Sequence, residues 1–167
     1  MCDVFSTQDA LKLLEGKSIL FLGDSIMRNI YKDLIWLTNI RGDESGYTPT
    51  DGMRNKGEEE FCGDRLLNII NGIGRDYEEK RIFYLADYDI RFVFGFITRC
   101  YSTKVQTLID DFPAQFGRYP DIIMMNGGLW DINRWGFDGI QKFRDNITAL
   151  MKHLKQALIE SPKTQGI

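Results

Sequence analysis

Short unbroken apolar runs alternate along the chain with stretches whose apolar residues recur every three or four positions. This is the pattern of strands buried on both faces alternating with amphipathic helices. Ser6-Thr7-Gln8-Asp9, followed by Ala10, Leu11, Leu13 and Leu14, predicts a capped helix closing at Gly16. Ser18 to Leu22 predicts the first core strand, and Ser25 to about Trp36 a helix leaving it. Asn39 to Glu60 is rich in Gly, Asp, Asn and Thr and lacks periodicity; it reads as a long loop, either a flap over the adjoining crevice or a surface insertion. Phe61 to Ile73, with Leu66, Leu67, Ile69 and Ile70 between Gly63 and Gly72, predicts a short helix. Arg81 to Ala86 and Ile90 to Thr98 predict a hairpin against the edge of the sheet, its aromatic residues serving as core.

Ser102 to Phe116 predicts a helix ending before Gly117 and Pro120. Asp121 to Asn126 predicts a second buried strand, Gly127 to Asp131 the turn leaving it, and Phe137 to Ile159 a long helix. That last helix places Ile140, Phe143, Ile147, Leu150, Met151, Leu154 and Leu158 along one side. The expected architecture is α/β, with Ile19–Leu22 central in the sheet and Ile122–Met125 beside it and parallel. Residues 1–160 are expected to form one domain, and 161–167, which offer no further strand, a disordered tail. On this pattern the sheet looks incomplete at its C-terminal side, as in a truncated product, and its edge is a place for a protein partner.

Composition narrows the function classes. Of 167 residues 43% are hydrophobic and 27% charged, with a net charge of −3 and no dense Lys/Arg block, which argues against nucleic acid or an anionic membrane surface. Cys2, Cys62 and Cys100 are odd in number and lack C-x-x-C spacing, so neither a disulfide framework nor a metal site is suggested. Gly16-Lys17-Ser18 precedes a strand and has Leu11 where a phosphate-binding loop needs glycine, so no nucleotide or other cofactor is expected. No leader pattern or membrane-spanning run is read, and an intracellular location, cytoplasmic or nuclear, is the expectation. Asn146-Ile147-Thr148 matches a glycosylation acceptor but falls inside a helical pattern and reads as chance.

Candidate chemistry gathers at Gly23-Asp24-Ser25, the junction between the first strand and its helix. A serine at a helix N-terminus meets unpaired N–H groups and the positive end of the helix dipole, a setting for nucleophilic attack and oxyanion stabilisation. Asp and Ser are equally ordinary helix caps, and Asp24 reads as a cap or brace of the loop. Arg28 shares the helix face of Ser25 and either orders the site, pairs with a carboxylate or lies solvated.

Gly23-Asp24-Ser25 with Arg28, together with Asn126-Gly127-Gly128-Leu129-Trp130-Asp131, resembles the SGNH/GDSL hydrolase superfamily and, within it, the PC-esterase branch and the PC-esterase domain-containing protein 1 family. The resemblance runs from about Lys17 to Leu158. It implies a three-layer α/β/α, flavodoxin-like fold with a mainly parallel sheet, and hydrolysis or transfer of an acyl ester, carried by a small molecule or a biopolymer. Ser25 would be the nucleophile, with its own N–H, Asn126 or Gly128, and Gly57 as oxyanion donors, and Trp130 and Asp131 of the same block as binding residues beside them. The pattern departs from the superfamily in two places. Trp130 stands before Asp131 where asparagine is expected, and the Asp-x-x-His that supplies the base is missing. The one histidine, His153, lies mid-helix with no carboxylate on the neighbouring turns and reads as a half-exposed surface residue. Two functions follow: an acyl-esterase-like domain left inactive for want of its base, or a non-catalytic binding or interaction module derived from that fold.

Overall fold

The computed structural model describes residues 6–38, 58–71, 77–134 and 138–160. Most of the expected loop, Gly57 included, and the expected tail lie outside these residues.

Strand β1 (Ser18–Gly23) is buried along its whole length because it is paired on both sides. It runs parallel to β4 (Ile90–Phe96), with Phe21 opposite Phe94, and parallel to β5 (Ile122–Met125), with Leu22 opposite Met125. Strand β3 (Tyr77–Leu85) pairs antiparallel with β4 and with β2 (Arg65–Asn71), giving one mixed sheet in the order β2-β3-β4-β1-β5.

Alternation along β1 divides the core into two layers. Ile19 and Phe21, with Phe92 and Phe94, face helices α1 (Thr7–Leu14) and α2 (Ser25–Thr38) through Leu11, Met27, Tyr31 and Ile35. Leu20 and Leu22, with Val93, face α3 (Thr103–Phe116) and α5 (Gly139–Glu160) through Leu108, Ile109, Phe112 and Leu150. Each such side chain contributes about 1.5–3 kcal/mol on full burial. The result is the expected three-layer α/β arrangement. The chain ends of α1 and α3 follow the sequence reading: Ser6 and Asp9 form a reciprocal capping box, Ser102 caps α3, and Gly117 closes it at φ 75°.

Four expectations need correction. Residues 65–71 form strand β2, not a helix; a β-bulge between Leu66 and Asn68 breaks the period of two, so the leucine and isoleucine pairs imitate helical spacing. β5 is the exposed edge that an incomplete sheet implies, but it is not the buried strand expected: among the described residues nothing pairs on its far side, so Ile122 is 42% exposed and the next three residues only half-buried. The turn after β5 is shorter than expected, because a helix, α4 (Gly128–Arg134), begins at Gly128. Along α5, Leu150 is buried but Ile140 and Met151 are exposed. A 22-residue helix is about 33 Å long and a four-residue strand about 13 Å, so α5 overhangs the edge it covers.

Candidate functional site

The carboxyl ends of β1, β4 and β5 meet at one end of the sheet. The helix after β1 packs on one face and the helix after β4 on the other, and such a divergence is the place at which open α/β sheets put their ligand crevices. Gly23-Asp24-Ser25 occupies it from β1 and Asn126-Gly127-Gly128 from β5.

Gly23 is required there by space and not by backbone conformation. A Cβ on it would lie 1.9 Å from Asn126 Oδ1 and 2.4 Å from Met27 Cβ. Asn126 therefore sits against the turn, where its Oδ1 accepts from the Asp24 N–H at 3.2 Å and its Nδ2 donates to Asp24 Oδ1 at 3.3 Å. The same Asp24 Oδ1 accepts from the Ile26 N–H at 2.9 Å, which makes Asp24 the cap of α2. Ser25, the first residue of α2, is exposed. The expected residues are thus brought together, with Asn126 holding Asp24 by one amide N–H.

Gly128 opens α4, so its N–H belongs to the first turn, which has no intrahelical acceptors. Gly127 allows that turn to pack on the β4–α3 loop, since its Cβ would lie 3.0 Å from Cys100 Cα. Asp131 is 2% exposed and turned inward: its carboxylate accepts from the Cys100 N–H at 2.8 Å and from Asn146 Nδ2 at 3.3 Å. It ties α4, α5 and the β4–α3 loop together and offers nothing to a ligand. Asn146 of the apparent glycosylation acceptor is committed to this brace. Burial, and then the Asp131 charge, push the Cys100 thiol up to about 12, which keeps it protonated and non-nucleophilic. Trp130 is half-buried on α4.

Of the readings left open for Arg28, the structure shows the pairing with a carboxylate. The residue is buried, with Nη1 donating to Glu79 Oε2 at 2.9 Å and to the Tyr77 hydroxyl at 3.5 Å. Glu79 also accepts from the Tyr77 hydroxyl at 2.7 Å and, through Oε1, from Arg81 Nη1 at 3.0 Å. Arg81, fully buried, grips Asp64 with two parallel bonds of 2.6 and 2.9 Å and donates to the Glu58 carbonyl at 2.9 Å. Asp64 further accepts from the Tyr31 hydroxyl and the Phe61 N–H, and Lys32 pairs with Glu58. Three cations and three carboxylates are thus balanced beneath α2. Burial alone would raise Glu79, but the bonds from Tyr77 and Arg28 outweigh it and hold the carboxyl below the usual glutamate value. Burial, then repulsion by Arg81 and Arg28, lowers Lys32 to about 8.

The sequence reading missed Asp64, Glu79 and Arg81. The alternation of β3 puts Glu79 and Arg81 on one face with Tyr77 and Phe83, but that pattern does not say that the face is buried, which depends on Arg28 and Asp64 from elsewhere in the chain. It also missed the partner of His153, whose Nε2 lies 2.9 Å from Asp110 Oδ1 across on α3. Cavities of about 780 and 290 Å³ lie along β2 and between β3 and α3, respectively, and neither is lined by Ser25. Among the described residues no group of three or more His, Cys, Asp or Glu is placed to hold a metal ion, and no helix is long and apolar enough to cross a membrane.

No family model matches the chain, and no solved structure matches it significantly. Curated relatives do. Human PC-esterase domain-containing protein 1B is 36% identical over 157 residues, 90% of this chain and 34% of that protein. The mouse 1B protein is 32% identical over 156 residues, and mouse PC-esterase domain-containing protein 1A is 29% identical over 163 residues, 94% of this chain. The chain spans about a third of the length of these relatives. Over the nine-tenths or so of its residues that align, it belongs to the PC-esterase domain-containing protein 1 family.

Proposed function

We propose that this chain carries the nucleophile side of an acyl-ester hydrolase or transferase site of the SGNH/GDSL type, with Ser25 as nucleophile. The observation that carries this reading is the juxtaposition of the Gly23-Asp24-Ser25 turn with Asn126, locked through Asp24 at the carboxyl end of a doubly paired strand. In this reading Ser25 Oγ attacks the ester carbonyl carbon, the alkoxide leaves with a proton, and water or an acceptor hydroxyl later takes the acyl group. The Ser25 N–H, the second Asn126 amide N–H and the Gly128 N–H are the candidate donors to the oxyanion. Gly57 remains a candidate from the sequence pattern alone. Arg28 and Asp131 order the site from beneath and do not touch substrate.

The base is the missing part. The chain has one histidine, and it is engaged with Asp110 on the α3 side of the sheet. A serine hydroxyl is a weak nucleophile at neutral pH unless a base takes its proton, and loss of a triad member costs on the order of 10⁴- to 10⁶-fold in turnover. The chain by itself is therefore expected to hydrolyse esters no better than weakly. The pairing of His153 away from the turn is also what favours the second reading, a crevice kept for binding and not for turnover.

Release of p-nitrophenol from short acyl esters by the purified chain, by Ser25→Ala and by His153→Ala separates these readings. A slow rate lost in Ser25→Ala and unchanged in His153→Ala supports the proposal. Enzyme-like turnover lost in both variants would make His153 the base after all, and identical background in all three would leave Ser25 an inherited nucleophile without its base.

A further inference from the structure

The first turn of α2 is gripped from both sides of β1. On the β5 side, Asn126 exchanges two hydrogen bonds with Asp24. On the β3 side, Arg28, one turn after Ser25, reaches Glu79. Side chains on a helix lean toward its N-terminus, so a tether at Arg28 bears on the turn that contains Ser25. Two strands, β4 and β1, separate the two anchoring strands of the sheet.

We propose that Glu79 is a positioning residue for Ser25: with Arg28 it forms a second clamp that, together with Asn126, sets the orientation of the nucleophile turn. Three observations carry this. Glu79 is 1% exposed and both of its oxygens are used, Oε2 by Arg28 and Tyr77 and Oε1 by Arg81, so its carboxylate has one orientation available. Arg81 in turn is held by a two-pronged grip on Asp64 at 2.6 and 2.9 Å, which makes the anchor rigid. Tyr31, one turn beyond Arg28, ends on the same Asp64, so two successive turns of α2 are tied to a single network.

A pocket that merely needed stability would fill this face with the leucines and phenylalanines used elsewhere in the core, and replacing buried ion pairs by apolar groups is often neutral or stabilising. Directional bonds define an angle and a distance, which hydrophobic contacts do not. The inference rests on Ser25 being the functional residue of the crevice, and it assigns to Glu79 the role of fixing where that residue points.

The test is residue-resolved amide hydrogen exchange on the full chain, comparing the wild type with Glu79→Gln, Asn126→Ala and Tyr77→Phe. The expected result for Glu79→Gln is that the Ile26 and Arg28 N–H groups, which are bonded to Asp24, exchange at least about tenfold faster while Ile109 and Phe112 of α3 are unmoved. Asn126→Ala should accelerate the same two amides. Tyr77→Phe removes one bond to Glu79 without touching a charge and serves if Glu79→Gln fails to fold; it should give a smaller acceleration at the same positions. Acceleration of all amides together, or none at Ile26 and Arg28, would overturn the proposal, since Glu79 would then hold the fold and not the turn. Labelling of Ser25 by a fluorophosphonate probe is the second readout. If the wild type labels, Glu79→Gln should label several-fold more slowly at unchanged exchange in α3. If the wild type does not label, as a serine without its base need not, the exchange result alone decides on the clamp.

Discussion

Replacing Arg81 by methionine keeps most of the side-chain volume and removes the centre of the buried network. Arg81 makes four hydrogen bonds, two to Asp64, one to Glu79 and one to the Glu58 carbonyl, and it is fully buried. Burial opposes its charge, but Asp64 and Glu79 outweigh that and raise its affinity for the proton, so the guanidinium is ionised throughout. The substitution leaves two buried carboxylates facing one another with only Arg28, Lys32 and hydroxyl or amide donors for support. Breaking a buried pair from one side costs about 3–5 kcal/mol, against a total of about 5–15 kcal/mol for a domain. At about 2–4 °C per kcal/mol for a chain of this size, the midpoint should fall by roughly 6–20 °C. Thermal unfolding followed by circular dichroism measures the midpoint, and urea unfolding, with the slope m checked for constancy, measures the free energy. Asp64→Asn removes a charge and keeps an acceptor oxygen for only one of its two other donors, the Tyr31 hydroxyl on Oδ2 or the Phe61 N–H on Oδ1, and Arg81→Met with Asp64→Asn should still cost at least about 1 kcal/mol less than the sum of the two single changes. A loss below about 1 kcal/mol for Arg81→Met, or strict additivity in the pair, would refute the view that these charges depend on one another.

Gly23→Ala should destabilise the chain by about 1–3 kcal/mol and release Asn126 from Asp24, because the new methyl falls on Asn126 Oδ1; faster exchange at the Asp24 N–H would report the release. Glu79 lies below its ordinary value near 4.5, so the stability it contributes is full above that pH and is lost as the pH falls; Glu79→Gln should flatten the acid limb of a stability-versus-pH curve. Burial first, then the Asp64 charge for Tyr31 and the hydrogen bond to Glu79 for Tyr77, raise both above their ordinary value of 10, so their contribution is full below pH 10 and lost as pH rises; ultraviolet titration should show both ionising only together with alkaline unfolding. The edge strand β5 carries no charge, proline or bulge, so the isolated chain should self-associate with rising concentration in sedimentation velocity, and Ile122→Lys should reduce that association.

The alternation of elements was legible in the sequence because each local signal acts within a few residues. The Ser6–Asp9 box, the unbroken run from Ser18 to Leu22, the helix start near Ser102 and the stop at Gly117 each depend on their own neighbours, and each stands within a residue of where the pattern put it. The Gly23-Asp24-Ser25 turn and Asn126 were legible for the same reason, as polar residues ending apolar runs. β2 was not, because a bulge gave its residues helical spacing and only pairing with β3 reveals the strand.

What required the tertiary structure is everything set by residues far apart in the chain. Sequence explains Gly23 as a turn former; the fold shows that Asn126, about a hundred residues on, occupies the space of its missing side chain. Arg28 and Asp131 read from sequence as site residues, and the fold turns both inward, one onto Glu79 and the other onto Cys100 and Asn146. Charged residues in a strand are read as solvated unless something distant neutralises them. Glu79 and Arg81 are neutralised by each other, by Arg28 and by Asp64, and no periodicity within β3 encodes that balance, since burying a charge depends on where its counter-charge comes to rest in three dimensions.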